Sequence, residues 1–112
     1  MEITRQVLEP DITLLQLKGR LDARSSEQVK VILHELSKQE QTKIIIDLEG
    51  VPFIDSSGLA ALVSGLRAAR EKGGVISLSG AQSQAQIVFR LTMLDRVFTI
   101  HPTFEEARQS LI

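Results

Sequence analysis

Residues Lys43-Ile44-Ile45-Ile46-Asp47-Leu48 set three isoleucines side by side. Successive side chains of a strand point to opposite faces, so such a run leaves neither face for water. It suits a strand buried on both sides, in the middle of a sheet covered by helices. That one segment asks for elements above and below it, and the rest of the chain supplies them.

Upstream, Ile12-Thr13-Leu14-Leu15-Gln16-Leu17 alternates as a strand does, with Ile12, Leu14 and in part Leu15 and Leu17 inward. A short strand precedes it near Ile3 to Val7, and Glu9-Pro10-Asp11 between them is turn chemistry. Gly19-Arg20-Leu21-Asp22 ends the second strand. The period then changes. Val29, Ile32, Leu33 and Leu36 recur at helical spacing after the start signals Ser25-Ser26-Glu27, predicting a helix over Ser25 to Ser37.

Downstream of the isoleucines, Val51-Pro52-Phe53-Ile54 reads as a connection and Asp55-Ser56-Ser57-Gly58 as a helix start. Leu59, Leu62, Val63, Leu66 and Ala69 form the apolar stripe of that helix, Lys72 falls in its last turn, and Gly73-Gly74 stops it. Val75 to Leu78 is expected as a strand, Gln84 to about Leu91 as a helix, and Val97 to Ile100 as a short strand. Phe104, Ala107 and Leu111 mark a final helix. The order β-β-α-β-α-β-α-β-α predicts an α/β domain with a mixed, mostly parallel sheet, the opening strand pair adding an antiparallel or edge strand. One domain is expected over residues 1–112, with no internal repeat or linker.

Composition narrows function. Thirteen basic residues face 14 acidic ones, a formal net charge of −1, which argues against nucleic-acid binding by bulk charge. There is no cysteine, which excludes disulfides, thiolate metal sites and cysteine nucleophiles. The two histidines, His34 and His101, are too few for a three-histidine metal site in one chain. Without Tyr or Trp, stacking on bases or sugars has little support. No apolar run approaches the ~20 residues of a membrane span, and the first residues lack the order of a signal peptide. The expectation is a cytoplasmic protein with no membrane span and no cofactor, a monomer or weak dimer.

The most informative stretch is Phe53-Ile54-Asp55-Ser56-Ser57-Gly58-Leu59. Asp or Ser at a helix start accepts hydrogen bonds from unpaired backbone N–H groups, and that alone can explain the residues. One cap is enough, however, and at least one serine hydroxyl is then spare. It lies near a helix end that favours negative charge, by about 0.3–1 kcal/mol. A phosphoserine there, carrying about −1.5 to −2 charges, would leave the fold intact and recast the surface beside Asp55. A serine nucleophile is the third reading. It needs a base, Gly-x-Ser-x-Gly is absent, and both histidines are expected to be solvated. With no phosphate-binding Gly-x-x-x-x-Gly-Lys loop either, the chain is not expected to be an enzyme.

Gly19-Arg20-Leu21-Asp22 reads either as a strand end with a turn or cap at Asp22, or as a second part of the same surface, since helix-leading loops gather at the carboxyl ends of parallel strands. Ser64-Gly65 interrupts the second helix, which suits close approach by another surface or tight packing on the sheet. Arg67 to Lys72 reads as a solvated face.

These residues resemble the STAS domain family, named for sulfate transporters and anti-sigma factor antagonists. The resemblance spans essentially the whole chain. It rests on the element order, on Gly19-x-Leu21-Asp22, on Ile44-Ile45-Ile46-Asp47-Leu48 and on Phe53-Ile54-Asp55-Ser56-Ser57-Gly58-Leu59. Small stand-alone antagonists are the clearest likeness. The resemblance implies a switch: the unphosphorylated form binds an anti-sigma factor that is itself a serine kinase, serine phosphorylation ends the association, and a phosphatase resets it. It implies Ser57 as acceptor, with Ser56 next, and Asp22, Asp55, Gly58 and Ala60 at the docking surface. Many antagonists have glycine where this chain has Ala60. The other use of such a domain is as a scaffolding or transporter-associated module without covalent switching.

Overall fold

The computed structural model describes residues 1–9, 11–41 and 43–112. The turn expected at Glu9-Pro10-Asp11 includes Pro10 and lies outside the described residues. The chain runs β1 (Glu2–Glu9), β2 (Ile12–Lys18), α1 (Ser26–Lys38), β3 (Lys43–Gly50), α2 (Ser56–Glu71), β4 (Val75–Ser79), α3 (Ser83–Leu91), a 3-10 turn at Leu94–Arg96, β5 (Thr99–His101) and α4 (Phe104–Leu111). The five strands form one sheet in sequence order. β1 is antiparallel to β2, and β2, β3, β4 and β5 run parallel. This is the expected α/β domain with a mixed, mostly parallel sheet.

The three isoleucines divide as their alternation demands. Ile44 and Ile46 join the large core beneath α1, α2 and α3, and Ile45 joins a smaller one with Ile12, Leu14 and Ala107 of α4. All three are fully buried. β2 proves to be a second strand of this kind. Ile12 and Leu14 face α4's side, while Leu15 and Leu17 face the large core. The alternating reading of β2 is therefore corrected to burial on both faces. Thr13, also buried, bonds through Oγ1 to the Gln41 side chain at 3.1 Å. Next to the start of β3, the Lys43 ammonium lies 2.9 Å from the Asp11 carboxylate. Its hydrogen bond holds Asp11 below the usual carboxylate range.

α2 buries Leu59, Leu62, Leu66 and Ala69, with Val63 at the margin. It ends as Gly73-Gly74 predicts: Gly73 takes φ +75°, and the Gly74 N–H reaches back to the Ala69 carbonyl at 2.8 Å. Gly65 faces α1. A Cβ there would collide with Leu33 Cδ1 and come within 2.8 Å of Leu33 Cβ. The small residues of α2 thus allow close approach by another surface, that of α1, and are not there for packing on the sheet. α4 is capped by Thr103 Oγ1, which accepts from Glu106 N at 3.2 Å.

The chain departs from expectation most at the last strand. Val97 is exposed and outside it, Phe98 is buried against Phe89, and the ladder begins only at Thr99. The Leu94–Arg96 turn takes up the preceding residues, entered through Met93 at φ 61°. Among the described residues no helix is long and apolar enough to cross a membrane.

Candidate functional site

Beyond the end of β2 the chain makes one more sheet-like contact. Leu21 forms an isolated parallel bridge with Ile54. The Leu21 N–H donates to the Phe53 carbonyl at 2.9 Å, and the Asp55 N–H donates to the Leu21 carbonyl at 3.2 Å. Both side chains at the bridge are buried. The segments leading into α1 and α2 are thereby joined backbone to backbone, and Asp22 comes to lie beside the Asp55–Gly58 turn, as the functional reading of that loop expected.

The other side of Ile54 is closed by a side chain. The Gln84 amide accepts from Ile54 N and donates to Ile54 O, each at 2.9 Å. It supplies what a further strand would supply, from the first turn of α3. Local sequence offers no signal for this, because the partners stand 30 residues apart.

Asp55 is the cap of α2. Its Oδ1 accepts from the Gly58 N–H at 3.0 Å. That leaves the serines uncommitted, and among the described residues neither hydroxyl has a hydrogen-bond partner. Ser56 is exposed and Ser57 half-buried. Gly58 is buried for a steric reason: a Cβ would meet the Leu21 carbonyl oxygen, with Leu21 Cγ at 2.7 Å. The first turn of α2 can lie this close to the Leu21–Asp22 segment only with glycine there.

Asp22 forms its own turn. Its Oδ1 accepts from Arg24 N at 3.0 Å, and its backbone carbonyl accepts from Ser25 N and Ser26 N at 3.1 and 2.9 Å. Ser25 does not cap α1 with its side chain. Its hydroxyl donates to the Arg20 carbonyl at 2.7 Å and accepts from Asp22 N at 3.1 Å, stitching the turn. Arg20 reaches across the surface, its Nε 3.7 Å from Asp22 Oδ2 and its Cζ 4.1 Å from the centre of the Phe53 ring. Between the opening turns of α1 and α2 lies a groove of about 180 Å³, lined by Ser26, Glu27, Lys30, Ser57, Ala60 and Ala61. Ala60 is exposed on its wall.

Asp22, Asp55, Ser56, Ser57, Gly58 and Ala60 are thus gathered on one rim. Arg20, Phe53, Lys30 and Gln84 belong there too and were not foreseen. Ser26 and Lys30 stand four apart on one helix, which is the only signal that could have paired Lys30 with the groove. The histidines are not solvated as expected. His34 is half-buried and its Nε2 lies 2.8 Å from Ser64 Oγ, linking α1 to α2. Ser64 stands seven residues from Ser57, about 10 Å along a helix at its ~1.5 Å rise. His101 Nε2 is buried without a partner among the described residues, beside β4. Among the described residues no group of acidic or histidine side chains could hold a metal ion.

The STAS domain model matches residues 5–107. An anti-sigma F factor antagonist of Paenibacillus polymyxa is 26% identical over 101 residues, covering 89% of this chain and 84% of that protein. The crystal structure of a Thermotoga maritima protein described as an anti-sigma factor antagonist superposes with a TM-score of 0.90 at 26% identity, over 96% of this chain and 92% of its own. The STAS domain of a SulP transporter from Vibrio cholerae shares the fold at TM-score 0.73 and 20% identity, over 90% of this chain and 80% of that one. With about nine-tenths of its length inside the match, on the strand order and rim just described, this chain belongs to the STAS domain family.

Proposed function

We propose that this protein is a cytoplasmic, non-catalytic anti-sigma factor antagonist whose partner is an anti-sigma factor with serine-kinase activity. The unphosphorylated rim binds the partner, phosphorylation of Ser57 releases it, and a phosphatase restores it. Ser56 is the second choice of acceptor. The observation that carries the reading is the division of labour at α2: Asp55 alone caps the helix, so a serine hydroxyl stands accessible beside Asp22 without being needed by the fold. Relatives named as an anti-sigma F factor antagonist and an anti-sigma-B factor antagonist support the same role.

In the transfer step the Ser57 oxygen attacks the γ-phosphorus of the kinase's ATP. The bond from that phosphorus to the bridging oxygen breaks, ADP leaves, and the hydroxyl proton passes to a base of the kinase or to water. The kinase brings ATP and its metal. On this chain the ester adds about −1.5 to −2 charges beside two carboxylates. A docked partner then meets both repulsion and bulk, while the helix end tolerates the anion.

Incubation with the kinase and ATP followed by mass spectrometry tests the proposal. One phosphate on Ser57, lost in Ser57→Ala, is expected, together with Ser57→Ala binding the kinase and no longer being released by ATP. An unmodified chain in a permanent complex would instead identify the scaffolding use of the domain.

A further inference from the structure

The groove beside Ser57 holds two opposite charges with different relations to that hydroxyl. Glu27 and Lys30 are both exposed, both line the groove, and both stand on α1, across from the α2 turn that carries Ser57. Among the described residues Lys30 has no ion-pair partner, and no bond joins it to Glu27. The space is about 180 Å³, several times the ~30 Å³ share of a liquid water, so a phosphoryl group on Ser57 has room to turn inside it. A dianion there is drawn to the ammonium and driven from the carboxylate.

We propose that Lys30 is the receiving cation for the Ser57 phosphate, which then occupies the groove between α2 and α1. This rests on the reading of Ser57 as acceptor. It adds a mechanism to the release step. Before phosphorylation Lys30 is a cation available to the partner, and afterwards it is taken up by the chain's own phosphate. The off state therefore loses a positive charge from its docking surface as well as gaining a negative one. It also loses the cleft into which a partner side chain could reach. A single short carboxylate at position 57 would reproduce this poorly, because it has neither the reach nor the second charge.

The test needs no kinase. Phosphoserine is installed at position 57 during synthesis by an expanded genetic code, and the phosphate is titrated by phosphorus NMR in the otherwise unchanged chain, in Lys30→Gln and in Glu27→Gln. Both substituted residues are exposed, and circular dichroism verifies that each variant is folded. Loss of Lys30 is expected to raise the second ionisation of the phosphate by about 0.7 pH unit, the size of one charge in a surface ion pair at ~4 Å in a water-like dielectric. Loss of Glu27 is expected to lower it by a smaller amount. A titration that is the same in Lys30→Gln as in the parent, within about 0.1 unit, would overturn the proposal. That outcome would leave the kinase reading standing. Failure of a kinase to modify Ser57 would sink that reading and leave this titration unaffected.

Discussion

Two regions of the molecule, the start of α2 and the β5 edge, are built to different standards. At the start of α2, the Leu21–Ile54 bridge is tied by two backbone bonds, and Gln84 satisfies the remaining donor and acceptor of Ile54. Gly58 then lets the helix close down on the bridge. At β5 the strand is three residues long and pairs only with β4, and at the end of that pair Ser79 Oγ of β4 and His101 Nε2 of β5 are buried without partners among the described residues. Its approach passes through Met93 in a left-handed conformation, and Leu91 and Met93 are 80% and 61% exposed. The difference shows where this fold concentrates its constraints. Under the proposed phosphorylation of Ser57, a rim whose backbone is already tied leaves the change in charge to be read by the partner. The β5 edge is held by its short ladder to β4 and by the packing of the preceding Phe98 against Phe89.

The largest effect should come from breaking that contact. Phe89 is fully buried, with its ring centre 6.2 Å from that of Phe98. Phe89→Ala should cost about 3–5 kcal/mol in urea unfolding and release β5 amides to exchange before those at Leu21 and Asp55. If both regions lost protection together, the contrast between them would be wrong.

Gly58→Ala attacks the other region. A methyl facing the Leu21 carbonyl should cost roughly 1–3 kcal/mol, even after the gain of up to ~1 kcal/mol that alanine brings to a helix. A variant as stable as the parent would mean that the bridge yields easily and is not a fixed platform. Gln84→Ala sharpens the point with a similar or smaller cost of about 1–2 kcal/mol, because two backbone groups of Ile54 lose their partners. Its signature is local: the Ile54 amide should exchange faster while the β4–β5 ladder is unchanged. Partner binding should weaken in proportion to the loosening of the Asp55 turn.

The smallest effect has the opposite sign. Met93→Gly relieves a left-handed residue whose strain is roughly 1–2 kcal/mol, against a chain-entropy loss of about 0.5–1 kcal/mol. A gain of a few tenths of a kcal/mol to about 1 kcal/mol is expected in the unfolding midpoint. A destabilised variant would show that the exposed Met93 side chain contributes packing that its exposure hides.

The same two regions differ in how far they could be read without coordinates. The Asp55 cap, the spare serines and the glycine stop of α2 are local matters of backbone donors and side-chain reach, so short stretches of sequence carry them. The isoleucine run carries its double burial for the same reason, since alternation is a property of the strand itself. The last strand starts two residues later than its composition predicts, because Val97 and Phe98 are strand formers by type. Only the burial of Phe98 against Phe89 and the turn through Met93 decide that the ladder starts at Thr99. Likewise Ser25, read as a helix start signal, spends its hydroxyl on Arg20 and Asp22 instead of on the helix.

What the residues determine by themselves is the alternation of strands and helices, the doubly buried centre of the sheet and the presence of an uncommitted hydroxyl at a helix start. These follow from periodicity and from hydrogen-bond inventories that act within a few residues. What only the tertiary structure decides is which distant groups are brought to the rim that carries that hydroxyl: Asp22 through the Leu21–Ile54 bridge, Gln84 from α3 onto the Ile54 backbone, and Lys30 from across the groove. Those contacts depend on how helices settle on the sheet, and packing of that kind is fixed by shape and burial summed over the whole core, which no short window of sequence contains.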